Sequence, residues 1–183
     1  GGGWLMSAFG PGGIARKDPE FIPAFVVNHI LGGGSFASRL MEEVREKRGL
    51  AYGVHSSLQP YANGAVFIGS VATKNEAINQ SLDVIRAELK RMAESGPTPL
   101  ELENAKKFLT GSYALRFDTN AKIADQLLAI HRDNLGIDYV DKRNGQVEAV
   151  TIEDSKRIAK RLIKSEDLIV TVVGKPMKAA GKD

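Results

Sequence analysis

The chain has 183 residues, 43% hydrophobic and 26% charged, with a net charge of +3. That leaves room for one domain with a real hydrophobic core, and the small charge, interleaved with acids, does not imply a nucleic-acid partner. The lack of cysteine excludes disulfides, iron–sulfur clusters, thiolate-bound zinc and a cysteine nucleophile, and no apolar run approaches the roughly 18 residues of a membrane span.

The chain opens on Gly1–Gly3 and Trp4, without Met and without the basic start and cleavage site of a secretory signal. It reads as a segment of a longer protein. Residues 4–9 form a short strand, closed by the turn formers Gly10-Pro11-Gly12-Gly13. Asp18-Pro19-Glu20 opens a helix with Asp18 as N-cap, while Pro23 bends or delays its start. That helix stops at Gly32. The next covers residues 36–47, capped by Ser35 and ended by Gly49. Residues 51–59 and 65–72 alternate as strands about an Asn63-Gly64 hairpin turn.

Thr73-x-x-Glu76 reads as a capping box for a helix whose apolar stripe is Ile78, Leu82, Ile85, Leu89 and Met92. Thr98-Pro99-Leu100-Glu101 is a second capping box, and its helix runs to about Arg116. Further helices span residues 120–135, 139–149 and 152–163, the last capped by Thr151. An apolar strand, residues 168–173, closes the order. Strands do not alternate singly with helices, so the fold class is α+β: a single mixed, largely antiparallel sheet with helices packed on one face. The domain covers residues 1–174, and the small, charged tail 175–183 is expected to be frayed.

Few residues carry metal chemistry. An inverted zinc motif, His-x-x-Glu-His, needs two histidines four apart on one helix face. Here the closest pair among His29, His55 and His131 is 26 residues apart. His131 falls on a stripe with Ala124, Leu127, Leu128 and Leu135, which predicts a core-facing histidine. His55 points away from the sheet face of Tyr52, Val54 and Leu58. His29 sits near a helix C-terminus, where positive charge is favoured. The turn Gly32-Gly33-Gly34-Ser35 lacks the lysine and the preceding strand of a phosphate loop. It reads as a sharp helix-to-helix turn needing positive φ.

Arg45 and Tyr52 are ambiguous by themselves. An arginine beside Glu42 and Glu43 is commonly a solvated ion-pairing residue, and a tyrosine opening a strand is commonly core with its hydroxyl at the edge. Because Gly49 reverses the chain between them, a guanidinium and a phenol can also converge on one carbonyl oxygen.

Residues 31–57, LGGGSFASRLMEEVREKRGLAYGVHSS, settle the preference. Within them Arg45-Glu46-Lys47-Arg48-Gly49-Leu50-Ala51-Tyr52 matches an Arg-Glu-x-x-Gly-Leu-Ala-Tyr pattern. The stretch resembles the second, non-catalytic half of zinc peptidases of the pitrilysin/insulinase family, which includes mitochondrial processing peptidase. The resemblance implies a zinc endopeptidase whose metal, motif and water-activating glutamate lie in a partner half, on the same or a separate chain. It implies that Arg45 and Tyr52 bind the scissile carbonyl of an extended peptide or presequence, and that this chain has no metal ligands of its own. It also allows a catalytically silent subunit, like the core proteins of a respiratory complex. Either way the isolated half is expected to self-associate, with neither nucleic acid nor membrane as partner.

Overall fold

The computed structural model describes residues 4–11, 13–61, 64–164 and 168–174. Its regular elements are β1 (Trp4–Pro11), α1 (Phe21–Asn28), β2 (Ala51–Tyr61), β3 (Gly64–Thr73), α2 (Ile78–Ser95), α3 (Pro99–Gly111), α4 (Asn120–Arg132), α5 (Tyr139–Glu148), α6 (Ile152–Leu162) and β4 (Ile169–Val172). The strands make one sheet in the order β2-β3-β1-β4, and each described pairing is antiparallel. The α+β class expected from the element order is the one observed.

The core lies between the sheet and the helices. Val54, Phe67 and Val71 of the hairpin cluster with Val26, Val27 and Leu31, and with Leu40 and Val44. On its far side Leu89 and Met92 of α2, Leu102 of α3, and Ile158 and Leu162 of α6 continue the same cluster. Each such side chain contributes about 1.5–3 kcal/mol by leaving water. The expected α2 stripe is largely the buried one: Ile78, Ile85, Leu89 and Met92 are buried, and Leu82 is half-buried. The boxes at Thr98 and Thr151 both form, with Glu101 and Asp154 closing them.

Three expectations about where elements begin and end are corrected. β1 continues through Gly10 and Pro11, and Pro11 pairs with Val66. Among the described residues β4 pairs only with Met6 to Phe9, so there the proline has a single strand neighbour, where its missing donor costs least. Thr73 is the last residue of β3, and its hydroxyl donates to the Leu50 carbonyl instead of capping a helix. A 3-10 turn at Asn75–Ala77 precedes α2. Asp18 accepts the Glu20 N–H at 2.9 Å, yet α1 begins only at Phe21. Pro23 therefore falls in the first turn, where a backbone N–H would have no helical partner and its absence in proline costs nothing.

On α4 the buried face is the other one available. Ile130 is buried and Ile123 and Gln126 are half-buried, whereas Leu128 and His131 are exposed. Residues 123, 126 and 130 also sit at helical spacing. The sequence therefore holds two competing stripes, and the one carrying His131 faces out. Ala62, Asn63 and the tail 175–183 lie outside the described residues.

Gly32 shows how tightly the helical layer meets the sheet. A Cβ there would stand 2.4 Å from Ser56 Oγ and 2.7 Å from Ser56 N. The second of these is strand backbone, which cannot turn aside. Gly32→Ala is expected to cost about 1–3 kcal/mol, read as a lowered midpoint in urea unfolding. An unchanged midpoint would mean that the contact relaxes freely.

Candidate functional site

The segment that presents Arg45 is built from short turns. After α1 the chain makes a π-helical turn, His29–Gly33, and a 3-10 turn, Ser35–Ala37. The left-handed residue of this connection is Ser35, with φ 55°, and Gly34 has φ −87°. The glycines therefore serve close approach, not positive φ: besides Gly32 against Ser56, a Cβ on Gly34 would stand 2.7 Å from the His29 carbonyl. Ser38, extended and buried, takes the capping place expected of Ser35, accepting the Met41 N–H at 3.4 Å. Helix follows, and its Met41–Glu46 stretch is π-helical, a geometry often found at functional sites.

One ion pair fixes this helix. The Arg39 guanidinium grips the Glu101 carboxylate with two bonds, Nε to Oε1 at 2.6 Å and Nη2 to Oε2 at 2.7 Å, and also donates to the Gly96 carbonyl. Glu101 Oε2 simultaneously accepts the Thr98 N–H at 2.7 Å, closing the cap of α3. Arg39 is buried. Burial works to raise the Glu101 pKa, but the bonds and charge of Arg39 with the Thr98 N–H outweigh it and hold the carboxyl below its ordinary value. Sequence reading found the Thr98–Glu101 cap but not its partner 62 positions earlier, for which no local signal exists.

Arg45 is loosely tied. Its Nε stands 3.7 Å from Glu46 Oε1, and its guanidinium lies 5.0 Å from the centre of the exposed Phe36 ring. Stacking on a ring face leaves the in-plane N–H edge free to donate. Its neighbours are committed elsewhere: Lys47 and Arg48 reach Glu43 at 2.6 and 2.7 Å, and they hold that carboxyl below its ordinary pKa.

Gly49, with φ 61°, ends the helix, its N–H bonding the Arg45 carbonyl at 2.7 Å. β2 starts two residues on. Ala51 pairs with Thr73 and Gly53 with Ala72, so Tyr52 is the extra residue of a β-bulge. The bulge changes the strand's parity. Ala51, Val54 and Ser56 face the core, while Tyr52, at 61% exposure, points out on the side of His55. The expectation that Tyr52 shares the face of Val54 and Leu58 is thus overturned, because strict alternation fails at a bulge. Arg45 and Tyr52 are both solvent-accessible and flank one glycine turn; among the described residues no hydrogen bond joins them to each other.

Among the described residues no His, Asp and Glu side chains gather into a group of three able to hold a metal ion. His29 stacks on Phe108 at 5.2 Å. Burial, with the charge of Arg143, lowers its pKa and favours the neutral ring, not the positive charge anticipated at a helix end. These side chains do not fit a zinc site. No helix among the described residues is long and apolar enough to cross a membrane.

The antiparallel sheet with its helical layer is an α+β peptidase-family domain, and among the described residues it gathers no group of metal ligands. Residues 4–109 match the Peptidase M16 inactive domain, and the chain belongs to that family. It is 31% identical over 151 residues to an uncharacterized zinc protease of Streptomyces coelicolor, covering 82% of this chain and 33% of that protein. It is 30% identical over 155 residues to the non-peptidase homolog YmxG of Helicobacter pylori, covering 84% and 35%. The peptidase M16 inactive domain from Pseudomonas fluorescens superposes with a TM-score of 0.83 at 32% identity, over 93% of this chain and 41% of that one. The chain thus spans about a third of the length of the curated relatives it matches.

Proposed function

We propose that this chain is the substrate-holding half of a zinc endopeptidase, closing over a partner half that carries the metal. The observation that carries this reading is the contrast within one helix turn: Lys47 and Arg48 are hydrogen-bonded to Glu43, while Arg45, across the Gly49 turn from an outward-facing Tyr52, has only a 3.7 Å ion pair and a ring contact among the described residues. Within that reading the guanidinium and phenol donate to the carbonyl oxygen of an extended peptide and hold the negative charge that develops on it. This chain supplies hydrogen bonds and no metal chemistry.

The test joins the chain to a half bearing His-x-x-Glu-His, on one polypeptide or as two. The chain alone is expected to retain no stoichiometric zinc after dialysis and to leave a quenched-fluorescence peptide intact, and the combination is expected to bind zinc and cleave it. Zinc and turnover in the isolated chain would overturn the proposal. A combination that binds zinc and never cleaves would assign the chain to the silent-subunit reading, for which the name of the Helicobacter pylori relative is the supporting observation.

A further inference from the structure

A second constellation lies at the other end of β2, away from Arg45 and Tyr52. The side chains of Arg16, Arg116 and Arg143 meet around Tyr113 and Tyr139 in the wall of a cavity of about 360 Å³. Its sequence neighbours on β2 are Ser57 and Leu58. Ser57 is five residues from Tyr52, about 17 Å along a strand, so this cavity is separate from the junction proposed to hold the scissile bond.

Its charges do not balance. Arg143 is 2% exposed, and among the described residues its Nη1 donates to two acceptors, both neutral, the Leu109 carbonyl at 2.6 Å and Asn144 Oδ1 at 3.0 Å. The guanidinium lies 4.4 Å from the centre of the Tyr113 ring, and that of Arg116 lies 6.0 Å from the same ring. Arg16 Nη2 donates to Tyr139 Oη at 2.8 Å. Among the described residues the one carboxylate in the lining is Asp133, which stands 3.9 Å from Arg16 and is bonded by Arg132 at 3.0 Å. Burial and the neighbouring charge of Arg116 accordingly lower the Arg143 pKa. A buried guanidinium without an anionic partner is costly.

A polar group is also left over. Tyr113 is 6% exposed, and its hydroxyl has no hydrogen-bond partner among the described residues. An idle buried hydroxyl costs stability that phenylalanine would not. The rest of the lining includes apolar side chains: Phe21, whose ring lies 4.3 Å from the Arg16 guanidinium, Phe25, 5.6 Å from that of Arg143, and Ile130. We propose that this cavity binds an organic oxyanion, a carboxylate or phosphate carried on an aromatic or aliphatic body, with Arg16, Arg116 and Arg143 holding the charge and the Tyr113 hydroxyl donating to it. The volume is at the lower end of the roughly 300–1,000 Å³ typical of small-molecule sites.

Calorimetric titration of the 183-residue chain tests this with N-acetylphenylalanine, phenyl phosphate, inorganic phosphate and, as the uncharged control, N-acetylphenylalaninamide. At least one of the two organic anions is expected to bind, more tightly than inorganic phosphate, and the amide is expected not to bind. Whichever anion wins identifies the head group. Arg16→Gln and Arg116→Gln are each expected to weaken binding about tenfold, the loss of one charge-assisted bond, while Lys17→Gln, a nearby exposed cation outside the lining, leaves it unchanged.

Tyr113→Phe is the decisive variant, because it removes one oxygen from a buried ring and keeps the packing. It is expected to unfold at the same temperature or higher when free, yet to bind the anion about tenfold more weakly. Failure of both organic anions to bind at millimolar concentration overturns the proposal. So does binding of inorganic phosphate as tight as that of the organic anions, or wild-type affinity in Tyr113→Phe together with both arginine variants.

Discussion

Arg45→Ala is expected to lower turnover of the assembled two-half peptidase by about 10² or more, the range for loss of one oxyanion donor, with zinc content unchanged. Tyr52→Phe is expected to fall in the same range. The reason is differential: both side chains are ready to donate, and neither is committed to holding the domain together. Arg45 has one long ion pair and one ring contact on an exposed surface, together contributing about 1 kcal/mol or less to stability. Tyr52 stands outside the strand's pairing register. Activity should therefore collapse while the unfolding midpoint hardly moves. Arg45→Lys is expected to rescue poorly, since an ammonium cannot supply the planar fork of donors. Arg48→Ala is the control, because that guanidinium is bonded to Glu43. Wild-type turnover in Arg45→Ala, or a loss explained wholly by unfolding, would return the arginine to an ordinary solvated role.

The second large effect is expected at Glu101. Removing its carboxylate in Glu101→Ala strips Arg39 of its two strongest bonds and α3 of its cap at once. A buried guanidinium left without its partner is expected to cost about 3–5 kcal/mol, measured by urea unfolding at neutral pH. Replacing both members, as in Arg39→Met with Glu101→Leu, is expected to recover much of the loss, because no charge then remains stranded. A single replacement that costs under about 1 kcal/mol would show the pair to be solvated.

The pH dependence follows in sign. The folded-state pKa of Glu101 lies below its ordinary value of 4.5. Its stabilisation is therefore full above that value and is lost as pH falls through the folded-state pKa. Because Arg39 belongs to the helix that carries Arg45, loosening this pair is also expected to reduce activity under conditions where most molecules remain folded.

What the sequence made legible was local chemistry. The box at Thr98, the cap at Thr151, the glycine stop at Gly49 and the α2 stripe each depend on residues a few positions apart, and each formed. What it hid was competition. Thr73 had two possible partners for its hydroxyl, and the strand edge took it from the helix. α4 offered two apolar faces of similar quality, and only tertiary packing chose between them. Ser35 and Ser38 both fit the cap of the Arg45 helix, and the chain turned at the first to cap with the second. The arginine cavity draws on residues from Arg16 to Arg143, a span over which periodicity carries no information. The Arg45–Tyr52 spacing was legible only by resemblance, since the bulge that turns Tyr52 outward leaves no signature in the alternation of Ala51 to Leu58.

That bulge separates two kinds of selection on one strand. A residue in the regular ladder of β2 serves the fold through its cross-strand neighbour and its face, so changing it disturbs both. Tyr52 is the uncounted residue of its pair, and its ring stands mostly in solvent. The hairpin can therefore lose or exchange this side chain without shifting register or opening the core. On the role proposed for Tyr52, drift at position 52 is nearly free for folding and is checked by activity alone. A lineage that gives up peptide hydrolysis and keeps the domain as a scaffold is expected to vary here first, and the buried Val54 two positions later last.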